Sequence, residues 1–180
     1  MPRAPICGRE IRSLVRLDST DRCSCFAIGC EYGILRILAL RDGSIEPVFT
    51  HAAMNGSVTA MHATNNQLIA ATSSGNLHAF SVFPTDDGLR MTEWRQRPSA
   101  RSEHRITACD RAGDVLVTAH SHGLARLYLV DAQAETLTWI MDIEREYDVR
   151  CALSTQLVQL EDSHVLLLGF TDGSRVSNLV

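Results

Sequence analysis

Four segments of this chain share one layout, and an internal repeat constrains a fold more than any single motif. Each segment holds an apolar-led strand, a gap, a second apolar strand, a turn closing on glycine, and a third, alternating strand. The turns are Gly29-Cys30-Glu31-Tyr32-Gly33, Ala71-Thr72-Ser73-Ser74-Gly75, Ala119-His120-Ser121-His122-Gly123 and Gly169-Phe170-Thr171-Asp172-Gly173. Their closing glycines stand 42, 48 and 50 residues apart. A unit of roughly 40–50 residues made only of strands has the size of a propeller blade.

Each unit can be read strand by strand. First strands begin at Ile11, Val58, Ile106 and Val149, and two residues on each carries something small: Ser13, Ala60, Ala108, Cys151. Strands crowding a central axis favour small side chains for packing reasons. Second strands (25–30, 68–72, 115–119 and 165–170) are continuous apolar runs, the pattern of a strand buried on both faces. Third strands alternate: Leu35 and Ile37, Leu77 and Ala79, Ala125 and Leu127 fall on one side, with Arg36, His78 and Arg126 between them facing the other way. Outer strands at 45–49, 91–94 and 136–141 follow the turn signals Arg41-Asp42-Gly43, 84–88 and Asp131-Ala132-Gln133. No stretch keeps a helical period for three turns.

The reading is therefore an all-β chain, a partial β-propeller spanning 1–180 with blades at about 10–50, 57–94, 104–142 and an incomplete 148–180. In the last unit the alternation fails, with Arg175 and Ser177 where the others carry apolar residues, and no outer strand follows. Three and a half blades read as part of a larger propeller; a small, atypical all-β domain is the alternative. Unpaired edges at both ends predict self-association of the isolated chain.

Composition excludes several classes. Apolar residues are 45% and charged residues 21%, so the chain is globular rather than disordered or fibrous. No apolar run reaches a membrane span, and the first residues carry no signal-peptide core, so the chain reads as soluble and cytoplasmic or nuclear, cytoplasmic being the expectation, with its six cysteines reduced. A net charge of −4 argues against wholesale binding of nucleic acid or membrane surface.

Chemistry-bearing motifs are few. Cys23, Cys25 and Cys30 lack zinc-knuckle spacing and a second pair, so they read as packed thiols. His120 and His122 could put two imidazoles on one side of a turn, with His104 or Asp172 as a third ligand; solvated turn histidines explain them more simply. No nucleophile elbow, phosphate loop or dinucleotide fingerprint occurs, and the carboxylates are scattered through turns and linkers. The chain reads as a non-enzyme that uses no cofactor, no metal and no small-molecule substrate. One patch stands out, residues 90–105, where Arg90, Arg95, Arg97, Arg101 and Arg105 accompany Trp94 and His104. On a propeller this loop shares a face with the turns that hold Tyr32 and His122. Arg95, Arg97, Arg101 and Arg105 could then clamp phosphates, or anchor a protein partner beside Trp94 and His122. A solvated connection with Trp94 packed inward is the plain alternative.

Two stretches, Gly33-Ile34-Leu35-Arg36-Ile37-Leu38 and Gly123-Leu124-Ala125-Arg126-Leu127-Tyr128, resemble the turn-plus-third-strand motif of WD-repeat propellers, Gly-x-apolar-Arg-apolar-aromatic. No Trp-Asp dipeptide closes a third strand, no Gly-His pair precedes a first strand, and Asp172 alone holds the usual turn aspartate. More narrowly, Cys7-Gly8-Arg9-Glu10-Ile11-Arg12-Ser13-Leu14, together with 27–33 and 165–173, is similar to the later repeats of one group of WD-repeat proteins. These are the accessory subunits of the 2′-O-ribose methyltransferase acting on the tRNA anticodon loop; Cys7 stands where that group has histidine. The resemblance implies a non-catalytic scaffold that docks a protein partner, here a tRNA ribose methyltransferase, in tRNA processing. Direct tRNA binding through the arginine loop, or an adaptor role in an unrelated complex, stays open beside it.

Overall fold

A computed structural model of the chain describes residues 8–20, 23–52, 54–64, 66–85, 88–94, 104–143, 152–160, 163–171 and 175–179. These form four antiparallel sheets in which every strand pairs with its neighbour in sequence. The first sheet holds β1 (Ile11–Thr20), β2 (Cys23–Cys30), β3 (Leu35–Arg41) and β4 (Ser44–His51). The second holds β5 (Val58–Thr64), β6 (Gln67–Thr72), β7 (Leu77–Thr85) and β8 (Gly88–Glu93). The third holds β9 (Ile106–Ala112), β10 (Val115–His120), β11 (Ala125–Asp131) and β12 (Thr136–Ile143). The fourth has three strands, β13 (Ala152–Leu160), β14 (Ser163–Phe170) and β15 (Arg175–Leu179). The fold is a partial propeller of WD-like blades, as the repeat implied.

First strands are innermost. β1 packs on β5, β5 on β9 and β9 on β13, and among the described residues no comparable packing joins β13 to β1. Three of the four small residues expected there, Ser13, Ala60 and Ala108, fit in register. In blade 4, β13 begins at Ala152 rather than Val149, and Ser154 takes the place expected of Cys151, which lies outside the described residues. Ser13 lies opposite Gly29, Ala60 opposite Ala71, Ala108 opposite Ala119 and Ser154 opposite Gly169. The larger serine meets glycine and alanine meets alanine, so the pair volume is nearly kept through the repeat. A Cβ at Gly29 would lie 2.5 Å from Val58 Cγ1, on the next blade.

Blades 2 and 3 bury both faces of their middle strands against their neighbours, which is why their second strands are uninterrupted apolar runs. Between blades 1 and 2, Ala27, Leu35 and Ile37 meet Leu68, Ala70 and Phe80. Between blades 2 and 3, Ile69, Leu77 and Trp94 meet Leu116, Tyr128 and Leu137. Val117, Ala125 and Leu127 meet Leu157, Leu166 and Leu168 at the third joint.

Hydroxyls stitch the inner strands across these joints. Ser13 Oγ donates to the Val58 carbonyl (3.1 Å) and Thr59 Oγ1 to that of Ile106 (2.6 Å). Asp110 ties three blades together: its Oδ1 accepts from His62 Nδ1 at 3.1 Å, and its Oδ2 accepts from the Leu157 amide at 2.8 Å. Burial would raise the Asp110 carboxyl, yet hydrogen bonds from His62 and from the Leu157 and Arg111 amides hold it below its ordinary value.

Basic residues at the third position past the turn glycine pair with the outer strand. Arg126 grips Asp142 with two bonds, Nε to Oδ1 (2.6 Å) and Nη2 to Oδ2 (2.8 Å), while His78 Nδ1 lies 2.7 Å from Glu93 Oε1. They project from the side of the strand opposite Leu127 and Ala79, as the alternation requires.

Candidate protein-docking face

The turns between second and third strands share one end of the described blades, and their backbone geometry repeats. Cys30 N donates to Ile34 O (2.8 Å), Thr72 N to Asn76 O (2.9 Å) and His120 N to Leu124 O (2.8 Å). Each turn is also tied to the chain entering the inner strand, through Glu31 N to Glu10 O (3.1 Å), Ser73 N to Ser57 O (2.8 Å) and Ser121 N to Arg105 O (2.8 Å). Six bonds thus fix each of the three turns to its own blade, the kind of anchored loop on which binding residues sit.

Two of these turns hold a side-chain-bearing residue in the left-handed region just before glycine, Tyr32 (φ 59°) and His122 (φ 80°). Such a conformation is uncommon outside glycine and persists where surrounding bonds impose it. Gly33 itself is obligatory, since its φ is 71° and a Cβ would run into the Met54 carbonyl. Tyr32 is thrown outward, 68% exposed, with the Arg9 guanidinium 5.0 Å from its ring centroid. Beside it Arg12 Nη2 reaches Glu10 Oε2 and Glu31 Oε1, both at 3.0 Å.

His122 is exposed and meets His104 edge to face, with centroids 4.8 Å apart. Arg105 follows at the surface, its carbonyl already used by Ser121. His120 takes the opposite direction from His122. It is fully buried, with Nδ1 donating to the His104 carbonyl (3.3 Å) and Nε2 receiving the Thr118 hydroxyl (2.8 Å). Burial pushes its pKa down to about 4, so it is a neutral structural group at physiological pH. The two imidazoles therefore do not share one side of the turn: the strand alternation of β10 carries His120 inward before the left-handed residue turns His122 out. Among the described residues no three metal-ligating side chains converge.

Trp94 lies 3% exposed in the joint between blades 2 and 3, where its indole N–H donates to Ser81 Oγ (2.8 Å), which in turn donates to Glu135 Oε1 (2.9 Å). Arg95, Arg97, Arg101 and Asp172 lie outside the described residues. This end of the blades thus carries two separate groups, His104, Arg105 and His122 on blade 3 and Arg9, Arg12 and Tyr32 on blade 1. Arg9 and Arg12 stood in the Cys7–Leu14 run and Tyr32 in the first turn, but nothing in the sequence signalled the contacts that bring these three side chains to one another's neighbourhood.

Neither a family model nor any curated protein matches the chain. Solved structures do. The computationally designed Ika4 protein superposes with a TM-score of 0.71 at 15% identity, covering 98% of this chain and 94% of that one. Raptor from Chaetomium thermophilum gives 0.70 at 16% identity, with 94% of this chain on 15% of that one. Sqt1 from Saccharomyces cerevisiae gives 0.68 at 10% identity, with 94% of this chain on 45% of that one. The chain thus spans well under half the length of Raptor and slightly under half that of Sqt1. Raptor and Sqt1 are WD-repeat proteins, and at these identities the likeness concerns the fold: the chain has the architecture of WD-repeat propeller blades.

Proposed function

We propose that the chain is a non-catalytic scaffold that docks a protein partner on the face bearing Tyr32, His104, Arg105 and His122. The observation that carries this reading is the set of hydrogen-bonded turns, one of which holds an exposed tyrosine in a fixed orientation. Tyrosine and arginine, presented without ordering cost, are the side chains that dominate protein interfaces. The arginines Arg95, Arg97 and Arg101, which the sequence places between Trp94 and Arg105, extend the same proposal. From the resemblance of the Gly8-Arg9-Glu10-Ile11 run, we take the partner to be a tRNA 2′-O-ribose methyltransferase working in the cytoplasm.

Affinity purification of the tagged chain from cells, with bound proteins and RNAs identified, tests this. A ribose methyltransferase recovered after nuclease treatment, and lost on Tyr32→Ala with Arg105→Glu, is the expected result. Recovery of an unrelated protein complex keeps the scaffold and discards the methyltransferase. RNA retained without any stoichiometric protein, and lost on Arg95, Arg97 and Arg101 to alanine, replaces the scaffold with direct RNA binding.

A further inference from the structure

Several cationic side chains of the described residues have a carboxylate at hand. Arg12 reaches Glu10 and Glu31, Arg111 reaches Asp114, Arg126 grips Asp142 and His62 meets Asp110. The blade 3 group is different. His104, Arg105 and His122 are all exposed, and among the described residues neither Arg105 nor His122 has a carboxylate within ion-pair distance. The sequence just ahead of the group adds to the imbalance: 95–103 carries Arg95, Arg97 and Arg101 against one carboxylate, Glu103, in a chain whose net charge is −4. A positive patch on an acidic chain selects anionic partners and speeds their encounter.

The group is also held in place. Residues 104 and 105 are tied to the turn that carries His122, through His120 Nδ1 to the His104 carbonyl (3.3 Å) and Ser121 N to the Arg105 carbonyl (2.8 Å). His122 is fixed in the left-handed region, with its ring against that of His104 at 4.8 Å. A guanidinium offers a planar fork that matches a carboxylate, and an imidazole keeps at least one N–H donor in either protonation state.

We propose that the segment docking on blade 3 is an acidic peptide, one of whose carboxylates takes the Arg105 fork while His104 and His122 donate beside it. This deepens the docking reading above and rests on it. Nucleic acid is the weaker fit, because a strand gains affinity by having many phosphates neutralised at once, and the described group offers one permanent cation.

NMR titration of the purified, isotope-labelled chain tests this with a decapeptide alternating glutamate and serine. The matching glutamine–serine peptide and a single-stranded RNA of mixed sequence serve as comparisons. The glutamate peptide should shift the backbone amide signals of 104–105 and 121–123, and added salt should weaken it. Arg105→Glu should weaken it about tenfold, with unchanged circular dichroism. Arg90→Glu, at an exposed arginine paired with Phe83 toward the far end of blade 2, should leave it unchanged. No shift, equal binding of the glutamine peptide, affinity that survives Arg105→Glu, or tighter binding of the RNA at the same amides overturns the proposal. A captured partner protein that the glutamate peptide does not displace also overturns it, while the docking reading stands. If no partner is captured, the docking reading fails and the titration still decides the chemistry of the group.

Discussion

Gly29→Ala, alone and combined with Ser13→Ala, tests whether the serine–glycine pair of blade 1 is a volume match across the inner strands. A Cβ at position 29 would crowd Ser13 Oγ and stand 2.5 Å from Val58 Cγ1 and 2.8 Å from Val58 Cβ. Ser13 cannot rotate away freely, because its hydroxyl donates to the Val58 carbonyl at 3.1 Å. Val58 is β-branched and fully buried, so it gives little. Overpacking of this kind costs about 1–3 kcal/mol. Ser13→Ala alone removes one part-buried hydrogen bond, about 0.5–1.5 kcal/mol. The double variant recreates the Ala60–Ala71 and Ala108–Ala119 pairs of blades 2 and 3, so it should cost less than the two changes summed, by about 0.5–2 kcal/mol. Urea unfolding followed by circular dichroism at matched protein concentration reads all four corners of the cycle. A Gly29→Ala variant as stable as wild type, or additivity within about 0.3 kcal/mol, would refute the volume-matching argument.

Two further expectations rest on single groups. The Arg126 guanidinium, opposed by partial burial, holds the Asp142 carboxyl below its ordinary value of 3.8. A depressed folded pKa gives stability that is full above the unfolded value and lost as pH falls through the folded one, so Asp142→Asn should flatten the acid limb of the stability curve. It should also cost about 1–3 kcal/mol at neutral pH, and an unchanged acid limb in thermal melts would count against the bidentate pair. Of the two tryptophans, Trp94 is 3% and Trp139 44% exposed. Trp139→Phe should therefore leave a blue-shifted emission that iodide barely quenches, whereas strong quenching would place Trp94 at the surface.

How much of this was legible in the sequence differs by element. The turn glycines and the apolar second strands announced the blades, because a strand buried on both faces has no other composition available to it. The alternation Leu35-Arg36-Ile37 likewise gave the sides of β3 correctly, a local property of any strand. Asp110 was not legible as a tie among three blades, since His62 and Leu157 lie almost one whole unit away on either side and no local pattern marks them. His120 and His122 looked like a pair on spacing alone, and only the backbone conformation at residue 122 separates them. Trp94, in a run rich in arginine, could face either way until the Ser81 hydroxyl was in place.

The strictly sequential pairing of the strands has a consequence for how the chain is made. Among the described residues each strand pairs with partners within a few tens of residues, and none pairs with a distant one. Such local pairing keeps the contact order low for an all-β chain and its loop-closure entropy small. Blade 1 has all its strand partners while blade 3 is still being synthesised, so its hydrogen bonding need not wait for the rest of the chain.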